Sequence, residues 1–257
     1  MKNKRILLMT VFVLVAGIAI SACAATPKND TASATIAEQP QTEAALEDNT
    51  PVIDIGDCYN AFNPVEEGKV WHYRSTAGSE ISDLETSYKN TTKTSFTTVQ
   101  KFPDFSTESQ WTCGPDGLIS DQLVNINLSQ IPGVSIETVK VEGVVFPRED
   151  LWQAGYSWDT NYEAKVKIAN GETVLEGNGN MIFNNTITGV ESVSVPSGVY
   201  DDALRVDVTG TIKVGVMGFE NTIPITYTNW FVKGTGLVKS ASIDSTFPFS
   251  MELISVE

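Results

Sequence analysis

The sequence predicts an all-β fold: a single domain of mainly antiparallel strands forming a curled sheet, half-barrel or barrel. Three observations carry this expectation. Stretches rich in β-branched and aromatic residues recur at 93–99, 118–128, 162–168, 181–187, 204–216, 222–232 and 237–243, with the alternation expected of half-buried strands. Between them stand Asn170-Gly171, Gly177-Asn178-Gly179-Asn180 and Pro196-Ser197-Gly198, which supply the tight or positive-φ geometry of hairpins. Beyond residue 50 no segment shows a capped 3.6-residue apolar stripe. The modest helical candidates are 79–84 and the neighbourhood of Ala44.

Residues 1–22 have the order of a secretory signal: Lys2, Lys4 and Arg5, then an apolar run from Ile6 to Ile20, then small residues. The run falls short of the roughly 20 apolar residues of a membrane-spanning helix. Ile20-Ser21-Ala22-Cys23 resembles the bacterial lipobox, whose cysteine is acylated and becomes the first residue after cleavage. The resemblance implies acyl chains on Cys23, palmitate among them. Each buried methylene contributes about 0.8 kcal/mol, so two or three chains hold firmly where one is marginal. The protein is therefore expected at a bacterial cell membrane or outer membrane, facing the periplasm or the exterior. Ala24 in the position after the cysteine does not favour retention at an inner membrane.

Residues 23–50 are rich in Ala, Thr, Pro, Glu, Asp and Gln and have no aromatic side chain. They cannot bury enough apolar surface to offset the entropy of ordering, and read as a tether. Residues 51–257 are long enough for one sizeable extracytoplasmic domain. The formal charge of -15 becomes -18 when the three basic residues of the signal are removed. Such an acidic surface argues against nucleic acid as a partner and favours solubility beside a membrane.

With Cys23 assigned to lipid, Cys58 and Cys113 remain. An even pair in an exported chain reads as a disulfide. It would close a loop of about 55 residues, worth about 4 kcal/mol in the chain-entropy model. Zinc would need more ligands than two distant cysteines and the single His72 supply. A catalytic cysteine would need His72 as base, but His72 lies between Trp71 and Tyr73 on an expected strand.

An internal echo follows. Gly68-Lys69-Val70-Trp71 recurs as Gly155-Tyr156-Ser157-Trp158, after Pro64 and Pro147 respectively. Trp111 is followed six residues later by Gly117-Leu118, and Trp230 by Gly236-Leu237. Two related β halves explain both recurrences, although chance recurrence in a Gly- and Trp-containing β protein would also produce them.

The run from Cys58 to Tyr73, with Asn63-Pro64-Val65 and then Gly68, Trp71 and Tyr73, resembles the opening of an uncharacterised bacterial lipoprotein family. Val193-Ser194-Val195-Pro196-Ser197-Gly198-Val199-Tyr200 is similar to a later segment of that family, and Gly234-Thr235-Gly236-Leu237-Val238 to its close. The resemblance implies architecture and location. More loosely, it is similar to the curled sheets of lipoprotein carriers, which implies a concave face able to hold acyl chains.

No nucleophile elbow, zinc-protease helix or phosphate loop is present, so catalysis, cofactor and metal are not expected. Glu66-Glu67 reads as a solvated turn, and Asp201-Asp202 near Glu191, like Asp54 and Asp57, is a weak candidate for calcium. Trp71, Trp111, Trp158 and Trp230 are the candidate ligand-lining residues; the same side chains could simply fill a β core. The expected function is a non-catalytic binding module for a hydrophobic ligand or an envelope partner, with a structural or assembly role in the envelope as the alternative.

Overall fold

The computed structural model describes residues 56–122, 134–170, 173–242 and 248–257. The signal, Cys23 and the tether lie outside the described residues. The fold is one antiparallel sheet of thirteen strands: β1 (Val70–Ala77), β2 (Glu80–Lys89), β3 (Ser95–Lys101), β4 (Ser106–Gly114), β5 (Gly117–Ser120), β6 (Val134–Gly143), β7 (Phe146–Pro147), β8 (Ser157–Asn170), β9 (Thr173–Val195), β10 (Gly198–Val216), β11 (Phe219–Val232), β12 (Gly236–Ser242) and β13 (Phe249–Val256). Two single 3₁₀ turns, Gly56–Cys58 and Glu149–Leu151, are the described helical pieces. No helix among the described residues is long and apolar enough to cross a membrane.

The strand order is β6-β8-β9-β10-β11-β12-β13-β1-β2-β3-β4-β5-β7. The ladder is not closed, yet its two ends are consecutive in the chain. Only Val144 and Val145 separate β6, at one end, from β7, at the other. Thr160 Oγ1 donates to the Val144 carbonyl (2.6 Å), and Val145 N–H donates to the Leu118 carbonyl (2.8 Å). The covalent chain thus carries the seam that ladder hydrogen bonds leave open, and the sheet curls.

The two echoed sequences occupy matching places. β1 to β5 form one meander and β8 to β12 another, each beginning on its G-x-x-W strand. Gly68 and Gly155 share φ of 90°, in turns closed by Lys69 N–H to Glu66 O and Tyr156 N–H to Gln153 O. Trp111 pairs with Ser120 and Trp230 with Lys239, nine residues on in both cases. The second hairpin has one more loop residue, and a bulge between Trp230 and Phe231 restores the register.

The later hairpin glycines lock the halves together crosswise. A Cβ on Gly117 would sit 2.1 Å from the Phe146 carbonyl oxygen and 3.0 Å from Pro147 Cα, and one on Gly236 would sit 3.0 Å from Pro64 Cδ. Each hairpin therefore packs on the proline segment that leads into the other half. Cys58 and Cys113 form a disulfide with Cα atoms 5.0 Å apart, tying the first lead-in to the first hairpin. Val232 is buried at the place matching Cys113.

Three buried clusters make the core. Rings run through them in sequence: Trp71 to Tyr88 (5.2 Å between centroids), Tyr88 to Phe96 (5.6 Å), Phe96 to Trp111 (5.3 Å), Trp111 to Phe146 (5.8 Å) and Phe146 to Trp152 (6.1 Å). Trp152 then meets Phe62, Trp158 and Phe231. Such pairs contribute about 0.5–1.5 kcal/mol each beyond the area they bury.

Two local expectations are corrected. Gly177-Asn178-Gly179-Asn180 is not a turn but the interior of β9. A Cβ on Gly177 would meet the Gly215 carbonyl oxygen at 2.1 Å, so this glycine serves close approach of β9 and β10 rather than chain reversal. The helical candidate 79–84 is instead the β1–β2 turn and the start of β2, which pairs residue by residue with β1 from Glu80 to Ser87. Of the strand expected over 118–128, the start is β5, Gly117–Ser120; residues 123–128, and Gly171 of the expected Asn170-Gly171 turn, lie outside the described residues. At the free edge, β6 carries a bulge between Thr138 and Lys140 that leaves Val139 unpaired and exposed.

Gly117→Ala is expected to lower stability by at least about 2 kcal/mol in urea unfolding, through strain and collision. Gly114→Ala, whose Cβ would meet nothing within 4 Å, is expected to stay within about 0.5 kcal/mol.

Candidate functional site

The sheet places the candidate tryptophans in two environments. Trp71, Trp111 and Trp158 are 3%, 3% and 9% exposed, because they occupy inward positions on β1, β4 and β8. Trp71 Nε1 donates to the Thr235 carbonyl (2.9 Å) and Trp158 Nε1 to the Val145 carbonyl (3.2 Å). Both indoles therefore brace chain segments from outside their own meander. Trp152 does the same for the seam: its Nε1 donates to Pro147 O at 3.0 Å, which also accepts from Asn60 Nδ2 at 2.9 Å.

Two interior spaces adjoin these rings. One, of about 40 Å³, lies among Phe146, Trp152, Trp158, Tyr162, Phe183 and Phe231. The other, of about 90 Å³, lies among Trp71, Tyr73, Tyr88, Trp111, Phe231 and Met251, with Asn63, Thr98 and Gln100. Ligand pockets for drug-sized molecules run to about 300–1,000 Å³. The larger space also has a polar character: Asn63 Nδ2, Thr98 Oγ1 and Trp111 Nε1 are buried without a hydrogen-bond partner. A hydrocarbon chain there would leave all three unsatisfied, at a cost of about 1–3 kcal/mol per group.

Trp230 is different. It is partly exposed, donates its indole N–H to the Glu191 carboxylate and lies under Lys239 Nζ, 5.9 Å from the ring centroid. Its neighbours form a rung across six strands in which Arg205 opposes Trp230, Trp230 opposes Lys239, Lys239 opposes Glu252, Glu252 opposes Arg74 and Arg74 opposes Asp83. Lys239 pairs with Glu252 at 2.7 Å, Arg205 with Asp207 at 2.9 Å and Arg74 with Asp83 at 2.9 Å. Burial works to raise the pKa of Asp207, but hydrogen bonds from Arg205, Thr228 and Thr188 outweigh it and hold the carboxyl below its ordinary value. The rung neutralises itself, and half-exposed pairs of this kind contribute at most about 1 kcal/mol each.

Beside the rung lies an open surface groove of about 490 Å³ containing His72, Arg74, Asp83, Glu85, Lys101 and Phe102. His72 Nε2 is 3.8 Å from the Glu257 carboxylate and makes no hydrogen bond. Lys101 is already paired with Glu85. Among the weaker acidic candidates, Glu66 pairs with Lys69 (2.6 Å), Glu67 accepts from Thr91 N–H, and Asp201 accepts from Ser192 Oγ. Asp54 lies outside the described residues. No group of three or more His, Cys, Asp or Glu side chains able to hold a metal occurs among the described residues.

Sequence reasoning did not single out Tyr73 and Tyr88. Alternation with Trp71 and within β2 places them inward, where Tyr73 OH donates to Leu237 O (2.9 Å) and Tyr88 OH to Asn63 Oδ1 (3.2 Å). Burial pushes both phenols, and that of Tyr162, well above the ordinary tyrosine value of 10.0. The unfolded chain would lose these protons near pH 10 while the folded chain keeps them, so stability falls as pH rises past about 10. Urea unfolding at pH 8 and pH 11 is expected to show the lower midpoint at pH 11, and Tyr88→Phe is expected to reduce the difference.

No protein-family model and no curated protein matches the chain. Among solved structures it is similar to a Bacteroides fragilis protein described as exported and as having a YmcC-like fold, at 11% identity and TM-score 0.51, covering 77% of this chain and 100% of that one. It is also similar to a Parabacteroides distasonis protein described as a lipoprotein, at 16% identity and TM-score 0.51, covering 77% of this chain and 99% of that one. These likenesses are of architecture: the curled antiparallel sheet is the YmcC-like fold.

Proposed function

We propose that the chain is a lipid-anchored extracytoplasmic module of the bacterial envelope that acts without catalysis and engages an envelope partner through its surface. The observation that carries this lies beside the candidate tryptophans: among the described residues, the spaces adjoining their rings measure about 40 and 90 Å³, the larger with unsatisfied polar atoms. An acyl chain has neither room nor suitable lining there. The anchor rests on the lipobox-like Cys23, and the export descriptions of the two structural neighbours support the same location. For catalysis, the one histidine faces a carboxylate rather than a nucleophile, and the two described cysteines are spent on a disulfide.

Mass spectrometry of organic extracts from the purified Cys23→Ala chain is expected to find no stoichiometric lipid; a reproducible one-to-one lipid would overturn the surface-binding reading in favour of an interior carrier. Separately, fractionation of cells is expected to find the native chain with membranes and the Cys23→Ala chain released, and persistence of the variant on membranes would contradict the anchor.

A further inference from the structure

We infer that the far tip of the β8–β11 wing, centred on Met217 and Phe219, is a lipid-contact element that inserts into a bilayer surface. The inference rests on the lipid-anchor reading above, which supplies the bilayer.

The halves share a plan but not a length. β8 to β11 have 14, 23, 19 and 14 residues against 8, 10, 7 and 9 in β1 to β4. Measured from the matching tryptophans, β8 runs 12 residues beyond Trp158 where β1 runs 6 beyond Trp71, and β11 starts 11 before Trp230 where β4 starts 5 before Trp111. The six extra residues lie at one end in both cases and extend the wing by about 20 Å. Gly177 pairs with Val216 and β9 begins four residues earlier at Thr173, so the start of β9 and the β10–β11 turn lie toward the same end.

Large apolar side chains stand exposed at this tip beside Glu176, Glu220 and Asn221. Met217 is 72% exposed, Phe219 82% and Val174, beside the β8–β9 turn, 56%. Val216 pairs with Phe219 around a two-residue loop, with φ of 53° at Met217 and 82° at Gly218. That geometry favours Asn-Gly at the two central positions. Methionine therefore accepts backbone strain to place an apolar side chain outward.

The occupant follows from size and reach. A protein partner of ordinary stability covers about 800 Å² on each side, more than two or three side chains on a narrow hairpin end provide. A bilayer demands no shape match, and an anchor that holds the domain beside it raises the effective concentration enough for a small apolar element to act. The described residues begin at Gly56, which lies against Lys93 just beyond β2, at the end of the antiparallel sheet opposite the tip. The 33 residues from Cys23 to Gly56 span at most about 115 Å extended, against about 63 Å for the 19 residues of β10, so the tip can reach the membrane that holds the anchor.

The test bypasses acylation. The chain from residue 23, with Cys23→Ala and an N-terminal hexahistidine, is held on phosphatidylcholine vesicles through a nickel-chelating lipid. An environment-sensitive fluorophore sits on Asn221→Cys at the tip or on Val199→Cys at the opposite end. Blue-shifted emission and quenching by spin-labelled phosphatidylcholine are expected at 221 and not at 199, and are expected to be lost in Met217→Ser/Phe219→Ser without change in the urea midpoint. An unquenched tip, equal quenching at both sites, or quenching that survives the double substitution would overturn the inference. Because capture here does not depend on acyl chains, failure of the anchor itself is read separately, from the membrane fractionation.

Discussion

The fold depends on a two-residue strand. Phe146–Pro147 pairs with Gly117-Leu118, and its Pro147 carbonyl accepts hydrogen bonds from Asn60 of the first lead-in and Trp152 of the second. The Phe146 ring touches Trp111, Trp152 and Phe231, so it reaches the cores of both meanders. An open sheet of thirteen strands would twist and splay; here the chain itself crosses from one end of the ladder to the other. That crossing needs a neighbour without a side chain, which is why Gly117 sits where a Cβ would collide with the Phe146 carbonyl.

A curled sheet of this size has to fill its interior with side chains or leave a cavity, and among the described residues aromatic side chains take up much of it. Tryptophan, tyrosine and phenylalanine supply large volumes at few rotatable bonds, and the buried indole and phenol groups of Trp71, Trp158, Tyr73 and Tyr88 bond to polar groups on neighbouring segments. The polar tips thus fix which segments pack, while the rings supply the burial. On the outside, the long second meander, the self-neutralised rung and the hairpin ends differ from one another in chemistry.

Much of this architecture was legible in the sequence, because alternation and turn chemistry are local. The recurring tryptophans fall at matching places, Trp111 opposite Ser120 and Trp230 opposite Lys239, although the glycines that follow them pair one position apart. The illegible parts depend on distant neighbours. β2 reads EISDLETSYK, polar enough to suggest a helix or a loop, and becomes a strand because β1 and β3 flank it. Gly177 resembles a turn residue until β10 is brought against it. Alternation sets which strand residues share a face, but the burial of Trp71, Trp111 and Trp158 and the partial exposure of Trp230 depend on which face curls inward, and that is not a local property.

An unclosed sheet leaves two strand edges, and exposed edges carry the hazard of zipping to other copies. This sheet offers little for that. At one end β7 is two residues long and contains a proline. At the other, the bulge of β6 interrupts the row of free backbone groups at Val139, among the charges of Glu137, Lys140 and Glu142. Short, kinked and charged edges disfavour strand addition. The irregularity in β6 therefore keeps copies of the protein as separate molecules instead of a spreading sheet.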